Sequence, residues 1–240
     1  MGAVNDEQRI SLILASGELV QKREIALITK FKRGDLSLFR VPGVHKTQKH
    51  IPGFFWVSQV NDLVWYESRL EMIILKQLDF TQKIKAILPQ PFCLHFSSDE
   101  KRRRHIPDFL IWLEDGQQLL VNVKPRRHVE KPLNQRSFKA CADFCETLGW
   151  TYVTLSEPNP IFLANLNWLA GYRRIPAKFN DFAVVIIDKA SERQSIKDLL
   201  ADVGPPALVR PVLFFLMWKR QLDFDTRALL TNDSEVWLAA

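Results

Sequence analysis

The sequence predicts an α/β protein: a mixed central sheet flanked by helices, followed by a smaller C-terminal domain of helices closed by a hairpin. Three observations carry that expectation. From Val64 to Leu155 the chain reads helix, three strands, helix, strand. Two of those strands flank Asp115-Gly116, a hairpin turn signal. Glu157-Pro158-Asn159-Pro160 then punctuates the chain ahead of three more helical stretches and a β-compatible tail. The expected division is therefore 1–156 and 157–240, and 240 residues suffice for a buried core.

Residues 1–60 are the least legible. Glu18 to Phe31 places apolar residues at both helix and strand spacing and reads as either. From Lys30 to Gln59 the chain is basic and broken by Gly34, Pro42, Gly43, Pro52 and Gly53, which predicts loops and short strands. Lys32, Arg33, Arg40, Lys46 and Lys49 face only Asp35, and form either a solvated surface or a phosphate-contacting arm. The helix expected over Val64–Phe80 rests on Leu63, Leu70, Ile74 and Leu78, and sets Glu67 and Glu71 on one face. Ile84–Phe96 reads as one strand broken by Pro89 and Pro91, and Ser97–Arg104 as a polar, basic turn. Ile106–Leu113 is a strand with Pro107-Asp108 at its start, and Gln117–Val123 its hairpin partner, ended by Pro125. Leu133–Leu148 is an amphipathic helix closed by Gly149. Trp150–Leu155, β-branched and aromatic, is the fourth strand.

Beyond the boundary, helices are expected over Ile161–Tyr172, Ser191–Ala201 (with Ser191 as N-cap) and Leu208–Gln221. In the tail, Asn232-Asp233 separates two β-compatible runs as a hairpin turn. Helices followed by a terminal hairpin suggest a winged-helix-like domain, which binds DNA or protein.

Composition narrows the function. A net charge of +6 and a pI near 9.3 suit a polyanionic partner. Cys93, Cys141 and Cys145 form no paired framework and read as core thiols in a reducing compartment. The longest apolar run, Val212–Trp218, is too short to cross a membrane, and the N-terminus does not read as a secretion signal. A soluble, cytoplasmic protein is the expectation. No G-x-x-x-x-G-K occurs, so no P-loop nucleotide site is expected, and no nucleophilic Ser or Cys motif occurs.

One constellation carries chemistry. Hydrolysing a phosphodiester needs an activated water and a stabilised leaving alkoxide, and Mg²⁺ held by carboxylates supplies both. A lysine beside that site orients the water or offsets developing charge. Asp108 at a strand start, Lys124 at the end of its hairpin partner and Glu71 from the flanking helix meet this requirement. Asp108 and Lys124 are nearly equidistant from the turn and are expected to face each other.

The segments YESRLE (66–71), PQPF (89–92), RRRHIPDF (102–109) and VNVKP (121–125), with LANLNWLAGYRR (163–174), LDFDTRALL and SEVWLA, resemble the TnsA-like endonuclease subunits of Tn7-type heteromeric transposases. These are members of the PD-(D/E)xK restriction-endonuclease-like superfamily. The resemblance spans roughly residues 50–240. It implies a restriction-endonuclease-like core and a winged-helix-like C-terminal domain. It further implies cleavage at the 5′ ends of a transposon, beside a DDE (TnsB-like) transposase subunit and an AAA+ (TnsC-like) ATPase regulator, on bacterial DNA. Carried over, the catalytic residues are Glu71 (with Glu67 as fallback), Asp108 and Lys124. The metal ligands are Glu71, Asp108 and Asn122, for Mg²⁺ with Mn²⁺ as a substitute. Asn122 stands where a second carboxylate is common in the superfamily, and an amide loses a full charge there. That keeps a catalytically weak or silent scaffold as the alternative; a stand-alone nuclease of the same fold fits the C-terminal segments less well. Arg102, Arg103, Arg104, Arg126 and Arg127 are candidate phosphate contacts, equally compatible with solvated turns. His105 reads as a strand-edge bystander.

Overall fold

The computed structural model describes residues 8–22, 25–39, 51–174 and 180–239. Arg40, Lys46 and Lys49 of the expected basic arm, with Pro42 and Gly43, lie outside the described residues. The chain divides into two compact units, Met1–Glu157 and Pro158–Ala240.

The first unit contains β1 (Arg9–Leu14), β2 (Leu19–Lys22), β3 (Leu36–Ser37), β4 (Gly53–Val57), β5 (Asp62–Tyr66), α1 (Arg69–Thr81), β6 (Ile84–Pro89), β7 (Cys93–Ser98), β8 (Lys101–His105), β9 (Phe109–Leu113), β10 (Gln118–Val123), α2 (Arg126–Val129), α3 (Pro132–Leu148) and β11 (Thr151–Leu155). A four-stranded sheet, ordered β11-β10-β9-β6, forms its centre. Only β10 and β11 run parallel, joined through α3, so the sheet is mixed. Side chains alternate between its faces. Leu88, Leu110 and Leu120 pack with Cys141, Phe144 and Cys145 of α3. Ile87, Phe109, Ile111 and Val121 pack with Ile74, Leu75 and Leu78 of α1. Covered on both sides, β9 reads FLIWL, a continuous apolar run.

Four expectations need correction here. The helix begins at Arg69, because Val64 to Tyr66 pair with β4 as part of β5. Val64 is buried while Leu63 is exposed, a strand alternation that helical spacing masked. Glu67 therefore precedes the helix instead of sharing its face with Glu71. Ile84–Phe96 is two strands in two sheets: Gln90 takes a left-handed φ of +46° between them. Ser97–Arg104 is no loop. Asp99 and Glu100, at φ +51° and +59°, turn the chain, and Lys101–His105 returns along β7. Finally, Arg33 is not a free phosphate contact: its Nε donates to Ile87 O at 2.9 Å and its guanidinium to Leu36 O at 3.2 Å.

The second sheet runs β2-β1-β7-β8, with β3 beside β1. The β4–β5 hairpin latches onto the C-terminal end of α1 through Asp79, which is 1% exposed. The Asp79 carboxylate accepts from Ser58 N (2.9 Å), Ser58 Oγ (3.0 Å) and Gln59 N (3.1 Å). Gln59 in turn accepts from Ile84 N at 2.8 Å. The outer side of this hairpin exposes Phe54 and Leu63, with Phe54 edge-on to Trp65.

The second unit contains α4 (Pro160–Leu169) with a 3-10 turn at Ala170–Tyr172, α5 (Asn180–Lys189), β12 (Gln194–Ser195), α6 (Ile196–Val203), α7 (Pro206–Trp218), β13 (Leu222–Phe224) and β14 (Glu235–Leu238). Its strands form an antiparallel sheet in the order β12-β14-β13. Helix α5 is additional to the expected three. Ser195, not Ser191, caps α6, accepting from Asp198 N at 3.1 Å. Asn232-Asp233 does not close a tight hairpin: residues 225–234 connect β13 to β14. Buried Asn165 staples that connection, donating to Ala228 O at 2.8 Å and accepting from Leu230 N at 2.9 Å.

Candidate active site

The site is built at the end of the central sheet where β9 begins and β10 ends. Glu71 is the third residue of α1, and Ser68 is the N-cap. Ser68 Oγ accepts from Glu71 N at 3.2 Å and donates to Glu71 Oε1 at 2.8 Å, while Glu71 Oε2 accepts from Glu67 N at 2.7 Å. This reciprocal cap explains the sequence YESRLE: it satisfies helix-end donors and fixes the carboxylate in place.

Asp108 follows Pro107 just before β9. Its N–H donates to Val121 O at 3.1 Å, and its Oδ2 accepts from Val123 N at 2.6 Å. Burial pushes its carboxyl up to about 8, and the charge of Glu71 adds to the rise. The Val123 N–H and the Lys124 ammonium oppose it, and Glu67 contributes last. Asp108 thus senses a carboxylate on α1 and an ammonium just past the end of β10 together.

Lys124 leaves β10 with its backbone tied to β11. Its N–H donates to Leu155 O at 2.9 Å, and its carbonyl accepts from Ser156 Oγ at 2.7 Å. It does not stand opposite Asp108. The β9–β10 register pairs Leu120 with Leu110 and Val121 with Phe109, so the next position across from Asp108 is Asn122. Lys124 lies two residues further on, because the ladder's register, not distance from the turn, sets which residues face each other.

Asn122 is 1% exposed. Its Oδ1 lies 3.0 Å from His105 Nε2, and its Nδ2 donates to Tyr152 Oη at 2.8 Å. The Tyr152 hydroxyl in turn lies 2.8 Å from Thr154 Oγ1. Both ends of the amide are engaged within the protein. His105, expected as a bystander, is drawn into this network, and burial holds its imidazole below the usual range. A lone histidine before Pro-Asp carries no signal of that partnership, because Asn122 belongs to another sheet.

The arginines separate by strand alternation. Arg102 and Arg104 are exposed on β8, whereas Arg103 is half-buried, with Asp99 at 3.7 Å. Arg126 and Arg127 are exposed, and Arg126 is tied to Glu157 by its N–H at 2.8 Å and its guanidinium at 3.1 Å.

The arrangement offers hard oxygen donors and an ammonium, the chemistry that suits a divalent cation and a phosphate. Among the described residues no cluster of three or more His, Cys, Asp or Glu forms a ready-made metal cage. A cation at Glu71 and Asp108 would draw its remaining ligands from amide oxygens, water or substrate. The mixed sheet with helices on both faces is consistent with a nuclease-like α/β fold.

Residues 81–157 match the family described as TnsA-like endonuclease N terminal. Over that segment, about a third of the chain, the sequence is similar to the TnsA-like endonucleases. The match contains Asp108 and Lys124; Glu71 precedes it. No curated protein matches the chain.

Proposed function

We propose that the chain is the metal-dependent DNA endonuclease subunit of a Tn7-like transposase, cleaving the 5′ ends of the transposon while a DDE transposase subunit handles the 3′ ends. The observation that carries this reading is the TnsA-like match over 81–157, which contains Asp108 at the start of β9 and Lys124 just past the end of β10. Glu71 and Asp108 are the residues that would hold Mg²⁺, or Mn²⁺ in its place. Their fit is electrostatic: a carboxyl raised to about 8 beside another carboxylate is a site whose full ionisation a divalent cation favours. When bound, the cation supplies Lewis acidity and a more acidic water. Lys124 orients the attacking water and offsets the charge that grows on the phosphate oxygens. The Val123 N–H orients the Asp108 carboxylate. The capping bonds of Ser68 and Glu67 restrain Glu71.

Exposed Arg102, Arg104, Arg126 and Arg127 serve the DNA backbone. The second unit, with its helices and three-stranded sheet, serves as a winged-helix-like domain for assembly with the AAA+ regulator. Work on DNA in the bacterial cytoplasm fits a chain in which no described helix is long and apolar enough to cross a membrane. A second reading, a scaffold that grips DNA without cutting it, is favoured by one feature: Asn122 brings no charge and its amide is already engaged.

The test is strand-specific nicking of transposon-end DNA by the assembled complex with Mg²⁺, comparing wild type with Asp108→Ala. Loss of 5′-strand cleavage in the variant supports the endonuclease. Equal cutting by both removes Asp108 from the site, and absent cutting by wild type with normal 3′-strand joining establishes the scaffold.

A further inference from the structure

Gln90 lies at the junction of the two sheets, between β6 and β7. It follows β6, whose last residue pairs with Phe109, and its own N–H donates to the carbonyl of Asp108 at 2.8 Å. Its carbonyl accepts from Phe39 N at 2.9 Å. The backbone of Gln90 therefore sits next to that of Asp108 on one side, as that of Asn122 does on the other. The same row continues to Thr154, the register partner of Asn122.

Two features of Gln90 are costly unless something compensates them. Its φ of +46° lies in the left-handed region, which a non-glycine residue occupies at a disadvantage. Its side chain is only 6% exposed, yet Oε1 is buried with no hydrogen-bond partner among the described residues. An unpaired buried amide oxygen penalises folding, and such an orphan calls for an explanation. By contrast, Asn122, the neighbouring amide in the row, has both of its ends satisfied.

We propose that Gln90, not Asn122, supplies the amide oxygen of the cleavage site, accepting a hydrogen bond from a water in the hydration shell of the divalent cation beside Asp108. This rests on the endonuclease reading and extends it. The residue is a positioning residue: it holds water for a cation that Glu71 and Asp108 bind. Magnesium keeps several of its waters, so a site with few carboxylates needs fixed acceptors for them.

The experiment uses the full chain, with Mn²⁺ as the probe and its free-ion paramagnetic resonance signal as the readout. Wild type, Gln90→Met, Gln90→Glu and Asp108→Asn are each titrated, and each is melted in a chelator. Gln90→Met removes the orphan oxygen while keeping side-chain length. It should therefore melt at or above the wild-type temperature, bind Mn²⁺ about tenfold more weakly and cut more slowly. Gln90→Glu, which restores an oxygen and adds charge, should recover or exceed wild-type Mn²⁺ affinity. A purely structural role for Gln90 gives the opposite split: a lower melting temperature in Gln90→Met with Mn²⁺ affinity unchanged, which overturns the proposal and leaves the site intact. If wild type binds no Mn²⁺, or Asp108→Asn binds it as wild type does, the cation site itself fails and the proposal falls with it.

Discussion

His105 and Asn122 belong to different sheets, yet His105 Nε2 lies 3.0 Å from Asn122 Oδ1. Because Asn122 Nδ2 already donates to Tyr152 Oη, the oxygen faces the imidazole, and Nε2 carries the proton. That tautomer leaves Nδ1 as the ring's acceptor. The contact joins the end of the basic strand β8 to the central sheet at the point where Asp108 and Lys124 emerge.

This predicts that Asn122 is held for the fold more than for charge. Asn122→Leu should lose about 1–3 kcal/mol in urea unfolding, since it strands the polar groups of His105 and Tyr152. Asn122→Asp places a carboxylate at a 1%-exposed position beside Asp108. Its penalty should grow as pH rises and the group is pressed to ionise. A stability that is flat with pH, together with tighter Mn²⁺ binding, would show that Asn122 is a ligand after all.

Asp108 should weaken the cation-free fold as pH rises. Its folded carboxyl is raised from 3.8 to about 8, so the folded state holds a proton that the unfolded chain releases. The relative stability it confers is complete below about 4 and falls progressively as pH climbs to about 8. Asp108→Asn keeps the neutral form throughout. In chelator it should melt close to wild type at pH 4 and higher at pH 8, with about 2–4 °C expected for each kcal/mol. A gap that is constant with pH would contradict the burial argument.

For Lys124 the two functions of its charge can be separated. Lys124→Met should slow cleavage by about 10²–10³-fold without weakening Mn²⁺ binding. It should also move the Asp108 carboxyl further upward, because the ammonium opposes the rise in wild type. Carbon-detected NMR titration of Asp108 reads this directly; a downward shift would mean that the ammonium is not what Asp108 senses.

Strand β8 should divide its arginines by alternation. Arg102→Ala and Arg104→Ala should each lower DNA affinity and reduce the slope of log affinity against log salt by about one. Arg103→Ala, whose side chain faces Asp99 from a half-buried position, should change the melting temperature more than the salt slope. Three equal slopes would mean that the strand's alternation does not govern the contact.

Much of this was legible in sequence, and the gaps have definite causes. The β9–β10 hairpin, α3 and β11 follow from Asp115-Gly116, a clean apolar stripe and a β-branched run, all local signals. What the sequence concealed depends on partners far along the chain. Val64–Tyr66 looked helical because its strand pairing with β4 is not written in its own spacing. The β7–β8 turn uses Asp99-Glu100, which carries no glycine to announce a positive φ. The residue types of the site were readable from Pro-Asp and the later lysine, but their register was not: counting from a turn gives proximity, and only the ladder shows that Asn122 stands across from Asp108. Gln90 was visible as part of PQPF, while its orphan oxygen belongs to tertiary structure alone.

Helix α1 is fastened at both ends, by Ser68 and Glu71 at its start and by the Asp79 carboxylate on Ser58 and Gln59 near its finish. The β4–β5 hairpin and the helix that carries Glu71 are therefore tied into one hydrogen-bonded piece, with Phe54 and Leu63 exposed on the hairpin's outer side. A mutation such as Asp79→Asn, far from any phosphate, would loosen the joint and blur the aim of the carboxylate without touching the chemistry.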